Sequence, residues 1–264
     1  EPNQSLTHIT CAALSGLDEL LARQRPDVVL VQGDTTTTFA AALAAFYHRI
    51  PVGHVEAGLR TDDPYRPFPE EINRRLTSVL ARWHYAPTRR AAERLRQEGT
   101  SADRIWVTGN TVIDALLHVA RTCGPIQQEA VRRHLEAGRR LVLVTTHRRE
   151  SWGEPHRAVY RALEELVERF SDVAVVVSVH PNPAVRRVAT EELGDVPRIV
   201  LLDPPDYLAF VPAAYRQMVA AVNPYGDGRA SALIVQALRF AMGLSTAAPE
   251  PFEPSADGAG EKRC

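Results

Sequence analysis

The stretch Asp27–Glu56, DVVLVQGDTTTTFAAALAAFYHRIPVGHVE, decides the fold. Its opening run, Asp27–Gln32, is short and continuously apolar at its centre, the mark of a strand buried on both faces of a parallel sheet. Gly33-Asp34 breaks the run. Thr35–His48 then reads as a helix, with Asp34 or Thr35 in the N-cap position. Pro51–Glu56 (PVGHVE) is the next strand, so the stretch as a whole is a βαβ unit.

The same grammar continues outward. Residues 70–81 read as helix, Trp83–Ala86 as strand, Thr88–Glu98 as helix, Arg104–Thr108 as strand and Val112–Arg121 as helix. A polar, arginine-rich region at 122–140 separates this block from a second one. There Arg140–Thr145, Asp172–Val179 and Arg198–Asp203 read as strands and His156–Phe170 as a helix. Two parallel α/β blocks joined by a linker predict two Rossmann-like domains, residues 1–122 and 140–228. Ala230–Met242 reads as a last helix, within a segment 229–243. Residues 244–264 have the Pro/Ala/Gly/Glu-rich composition of a disordered tail.

Composition narrows the chemistry. The chain has 264 residues, 45% of them hydrophobic, and a formal net charge of −1, which leaves no electrostatic footprint for nucleic acid or an anionic membrane. No apolar stretch approaches the ~20 residues of a membrane span, and the N-terminus lacks the features of a signal peptide, so a cytoplasmic protein is expected. Cys11, Cys123 and Cys264 are too widely spaced for a zinc cluster or a disulfide framework. The only lysine is Lys262, which argues against Schiff-base, pyridoxal and P-loop chemistry. No GxGxxG follows a strand, so no dinucleotide fingerprint is present. Neither a cofactor nor a metal is expected, and the chemistry falls to Asp, Glu, His and Arg.

In open parallel sheets ligands bind beyond the carboxyl ends of the strands. The first strand ends at Gly33-Asp34 and the second at His54, Glu56, Gly58 and Arg60. In the second block one strand runs into His147-Arg148-Arg149-Glu150 and another into His180-Pro181-Asn182-Pro183. Each residue has an ordinary alternative. Asp34 can cap its helix, the four threonines can satisfy N–H groups of the first turn, and His54 can be a core histidine. Glu70-Glu71 can be a helix start favourable to the macrodipole, and the arginines after His147 a solvated charge run. Asp34 and Glu56 end strands expected to be neighbours, so their carboxylates can converge.

Seven motifs then fix a resemblance: GDTTTT (33–38), IPVGHVEAGLRT (50–61), PEEINR (69–74), TGNTVIDAL (108–116), THRRES (146–151), VHPNP (179–183) and NPYGDGRAS (223–231). In this order, over nearly all of residues 4–240, the chain resembles the UDP-N-acetylglucosamine 2-epimerase family, in particular its non-hydrolysing bacterial branch. The resemblance implies two Rossmann-like domains of the glycosyltransferase-B type. It implies interconversion of UDP-GlcNAc and UDP-ManNAc by elimination and re-addition of UDP through 2-acetamidoglucal, without cofactor or metal. By motif position Asp34, Glu56 and Glu70 match the catalytic carboxylates and His147 the catalytic histidine, with the base and the acid left unassigned. His54, Arg60, Arg148, His180 and Asn182 are the substrate-binding candidates. A UDP-sugar substrate, a homodimer, and a role in cell-surface polysaccharide biosynthesis complete what the family implies.

Two family elements have no counterpart here: an opening strand with its Gly-Thr-Arg-Pro-Glu loop, and a Ser-Gly-Gly…Glu-Glu segment with the loop after it, beyond Asp203–Phe210. Both domains are therefore expected to be shorter than the family's. The alternatives to the epimerase are a hydrolysing epimerase that releases ManNAc and UDP, and a degenerate sugar-nucleotide-binding paralogue without catalysis.

Overall fold

The computed structural model describes residues 4–122, 128–146, 154–204 and 225–253. In chain order these form α1 (Leu6–Gln24), β1 (Val29–Gln32), α2 (Thr36–Tyr47), β2 (Val52–Val55), α3 (Glu70–Leu80), β3 (Trp83–Ala86), α4 (Arg89–Gln97), β4 (Ile105–Val107) and α5 (Thr111–Thr122). There follow α6 (Glu129–Glu136), β5 (Arg140–Thr146), α7 (Glu154–Arg169), β6 (Val173–Val179), α8 (Pro183–Leu193), β7 (Ile199–Leu202) and α9 (Ala230–Ala241). The chain divides into two compact units, Glu1–Leu117 with Val222–Cys264, and His118–Ala221.

The first unit is built on a parallel sheet of order β1-β2-β3-β4. The strand-helix-strand succession places every connection from one strand to its neighbour on a helix, as parallel pairing requires. On one side Leu14, Leu17 and Leu21 of α1 pack with Ala42, Ala44 and Ala45 of α2 over Val29, Val31 and Val52. The alanines let the two helices approach closely, which is why the run read from sequence as small and apolar is helical here. A different cluster joins Trp83 and Tyr85 to Ile234 and Ala237 of α9. Helix α9 has no cap from its own N-cap residue; Asp114 of α5 accepts hydrogen bonds from the N–H groups of Ala230 (3.1 Å) and Ser231 (2.7 Å) instead. A carboxylate at that helix start also meets the positive end of the dipole.

The second unit has a parallel sheet of order β5-β6-β7. Strand β6 alternates: Val175, Val177 and Val179 face α7 and α8, while Ala174 and Val176 face α6. Burial on both faces explains its unbroken apolar sequence.

Three sequence expectations change. The arginine-rich region at 122–140 contains α6, whose Val131 and Leu135 lie four apart and pack on Leu141 and Val176. Its arginines cover the outer face of an amphipathic helix, so polarity there did not mean a linker throughout. After Pro183, where no helix was read, the chain forms α8, with the proline at the first position where a missing N–H costs nothing. The tail is not disordered over 244–253: Phe252 is buried, its N–H donates to Val107 O at 2.8 Å, and Glu253 pairs with Arg89. A single aromatic with an open sheet edge to bond outweighs the polar composition around it.

Candidate active site

The site in the first unit grows from the turn after β1. Gly33 takes φ +76°, a left-handed conformation that a glycine adopts without penalty. The cap of α2 is Thr35, whose hydroxyl accepts from the Thr38 N–H at 3.3 Å, while the Thr38 hydroxyl donates to Gln32 O at 2.8 Å. The threonines thus meet the needs of the first helical turn, and Asp34 is not the cap. Its carboxylate pairs with Arg74 of α3 at 2.5 Å.

Glu56 follows β2 with φ +67°, an uncommon conformation for a residue with a side chain. Gly58, at φ +87°, lets the turn pass the Ala91 carbonyl, where an added Cβ would lie 2.2 Å from the oxygen. Glu56 Oε1 accepts from Asn110 Nδ2 at 3.0 Å, and Asn110 Oδ1 accepts from the Val112 N–H at 3.0 Å. The second bond fixes which end of the amide faces Glu56. The other carboxyl oxygen, Oε2, is directed at the Gly33 turn. Burial raises the Glu56 carboxyl above the usual range; Asn110 and Arg74 oppose this, and the charge of Asp34 adds to it. The two acidic groups therefore differ in surroundings: Asp34 is ion-paired, and Glu56 is held by a neutral amide.

Glu70 opens α3, and the four-residue spacing puts it on the helical face of Arg74. No hydrogen bond or ion pair engages its carboxylate among the described residues. Glu71 beside it is fully buried and accepts from Arg75 Nε at 2.9 Å and the Thr61 N–H at 3.1 Å, with Arg74 at 3.6 Å. Arg74 is thus shared by Asp34 and Glu71.

Two of the substrate-binding candidates, His54 and Arg60, are engaged within the protein. The His54 ring is wholly buried, with Nε2 2.8 Å from Gly33 O. A carbonyl only accepts, so Nε2 carries the proton. Burial, with help from Arg60 and Arg74, lowers its pKa to about 4 against the Gly33 bond that raises it. Arg60 has 1% of its side chain exposed and spends its donors on Glu98 (two bonds of 2.7 Å), Leu59 O and Ser78 Oγ. Its guanidinium ties the turn to α3 and α4 and has no donor aimed at solvent. In the second unit His180 ends β6 and its Nδ1 accepts from the Asn182 N–H at 3.1 Å. His147 and Arg148 lie outside the described residues. Arg74 and Asn110, which the sequence reading passed over, each sit inside a quoted motif, PEEINR and TGNTVIDAL.

No group of three or more His, Cys, Asp or Glu side chains suited to a metal ion occurs among the described residues. No described helix is long and apolar enough to cross a membrane.

Two parallel α/β units, with acidic side chains of unlike environment at adjacent strand ends of the first, form an α/β fold whose strand ends suit acid–base chemistry. A sequence profile described as UDP-N-acetylglucosamine 2-epimerase matches residues 1–214. The Bacillus subtilis UDP-N-acetylglucosamine 2-epimerase is 38% identical, over 94% of this chain and 82% of its own. The Salmonella typhimurium enzyme of that name is 50% identical over 80% of this chain and 57% of its own, so the chain matches little more than half of it. The Neisseria meningitidis UDP-GlcNAc 2-epimerase, solved with UDP-GlcNAc bound, superposes with a TM-score of 0.79 at 35% identity, covering 90% of this chain and 83% of that one. The chain belongs to the UDP-N-acetylglucosamine 2-epimerase family, with that family's glycosyltransferase-B type of fold.

Proposed function

We propose that the chain interconverts UDP-GlcNAc and UDP-ManNAc. The observation that carries this reading is the Asp34–Glu56 pair, two carboxyl groups at neighbouring strand ends of which only Asp34 is ion-paired. Inversion at C2 needs a group that removes the C2 proton and another that delivers a proton to the opposite face. In the first half, the C2–H and C1–O bonds break, a C1–C2 double bond forms, and UDP leaves with the electron pair. In the second, UDP oxygen returns to C1 and C2 takes a proton on its other face. Asp34 suits the proton acceptor and Glu56, whose pKa burial raises, the donor. Glu70, at the positive end of α3 and free of side-chain partners among the described residues, suits a sugar or proton contact. The motif positions of His147 and Arg148, and those of His180 and Asn182, support contacts to UDP.

The assay is incubation with UDP-GlcNAc in deuterium oxide. Deuterium at C2 of both UDP-sugars is the expected result. No exchange, together with no thermal shift from millimolar UDP, refutes the reading, and release of free ManNAc selects the hydrolysing reaction instead.

We further propose a cytoplasmic homodimer. An exposed free Cys11 suits a reducing compartment. Ile72, Leu76 and Val79 form an exposed row along α3, spaced for one helical face. Sedimentation of the wild-type chain and Leu76→Glu tests the dimer, which the charge should dissociate.

A further inference from the structure

The Gly33 peptide is gripped from both sides by the strand that ends in Glu56. Its N–H donates to Val55 O at 3.0 Å, and its carbonyl accepts from His54 Nε2 at 2.8 Å. Val55 and His54 are the two residues that immediately precede Glu56. The turn that presents Asp34 is therefore fixed to the base of Glu56 by one backbone bond and one imidazole. The ring is fully buried, and its Nδ1 has no hydrogen-bond partner. A buried imidazole with one nitrogen unsatisfied is a poor choice for packing alone, since an aliphatic side chain would bring no unpaired nitrogen into the core.

We infer that His54 is a positioning residue: through the Gly33 carbonyl it sets the separation of Asp34 and Glu56, and so their unlike environments. This rests on the epimerase reading only for its kinetic consequence. The ring faces His84 on β3, in register beside it, and the guanidiniums of Arg60 and Arg74. None of these bonds Gly33, so the link has no substitute. His84 is the natural comparison, because it too is a buried histidine with an unsatisfied Nδ1, but the backbone it meets is that of Ala81 at the opposite end of the sheet.

Three variants separate positioning from packing. His54→Leu removes the donor and keeps the bulk, His54→Gln returns an N–H near the place of Nε2, and His84→Leu repeats the core change on the adjacent strand without removing the bond to Gly33. The first readout is the Glu56 carboxyl titration followed by carbon NMR, assigned with Glu56→Gln. In His54→Leu the Glu56 midpoint should fall toward the ordinary range, because the turn relaxes and the Asp34 charge withdraws. His54→Gln should restore it, and His84→Leu should leave it unchanged. The second readout is turnover: His54→Leu should lose kcat by about tenfold or more with KM within about twofold, the signature of a misplaced reacting group. The inference is overturned if folded His54→Leu titrates and turns over as wild type, if His84→Leu matches His54→Leu in both readouts, or if folded His54→Gln gives no recovery. Should the wild-type chain show no turnover at all, the function proposed above fails, and the Glu56 titration still decides the role of His54.

Discussion

Replacing Arg74 by methionine isolates the contact that distinguishes the two carboxylates. Arg74 lies 2.5 Å from Asp34 and 3.6 Å from Glu71, with 11% of its side chain exposed. With charge centres about 4 Å apart and an effective dielectric of about 20, the gross attraction to Asp34 is about 4 kcal/mol. Much of that is offset by desolvation, and Asp34, 29% exposed, regains water when its partner goes. Buried Glu71 is not orphaned either, since Arg75 and the Thr61 N–H still bind it. The cost to stability should therefore be about 1–2 kcal/mol, below the ~3–5 kcal/mol of a buried charge stripped of all partners. At about 2–4 °C per kcal/mol for a chain of this size, the melting temperature should drop by about 2–8 °C. The catalytic effect should be larger. With Asp34 released, the loss of orientation should lower C2 deuterium exchange by about a hundredfold. Arg74 also opposes the rise of the Glu56 pKa, so its removal should move the Glu56 limb of the pH–rate profile upward. Melting curves and deuterium incorporation measured across pH check both halves. An unmoved limb with near-normal exchange would refute the shared-arginine reasoning, and a stability loss near 5 kcal/mol would show that Arg74 mainly serves Glu71.

Glu56→Gln should make the protein more stable at neutral pH while abolishing exchange. The folded state raises the Glu56 pKa above the unfolded value near 4.5, so ionisation opposes folding at high pH; the stability difference should shrink as pH falls through that value, measured by denaturant titration at pH 4 and pH 7. Asp114→Ala should cost about 1–2 kcal/mol by removing the carboxylate that accepts from the Ala230 and Ser231 N–H groups, with Asp114→Asn closer to wild type; hydrogen exchange should show early loss of protection in Ala230–Ala241.

The strands were legible because each is a continuous apolar run: Trp83–Ala86 and the buried β6 can be read almost to the residue. Helix α1 was not read, and two other missed helices share a cause. In α6 the arginines mask Val131 and Leu135, and in α8 the prolines around Asn182 mimic a loop while Val185, Ala189 and Leu193 keep the helical repeat. The site was legible in its carboxylates and not in their partners. Asp34 and Arg74 are 40 residues apart, Glu56 and Asn110 are 54, and no local pattern marks either pairing. The internal partners of His54 and Arg60 escaped notice for a related reason: residue type suggests exposure, but burial follows from Gly33, Glu98 and Ser78, which lie far along the chain.

The four threonines after Gly33-Asp34 acquire a purpose from this geometry. An aspartate in front of a helix is drawn to the free N–H groups of its first turn, a bond worth about 1 kcal/mol. An Asp34 so engaged would have its oxygens occupied by α2 rather than free for Arg74 and a substrate. Thr35 takes the cap, and Thr38 closes the turn back onto Gln32 O. Hydroxyls do this work without charge, so the anion at the junction is left to electrostatics. The same division occurs at Glu56, where Asn110 spends its Oδ1 on the Val112 N–H and offers Glu56 only its amide protons. At both strand ends a neutral side chain meets the backbone's demand, and each carboxyl group is thereby left with a single, different partner. It is this difference, more than the presence of two acids, that suits the pair to the proton exchange proposed above.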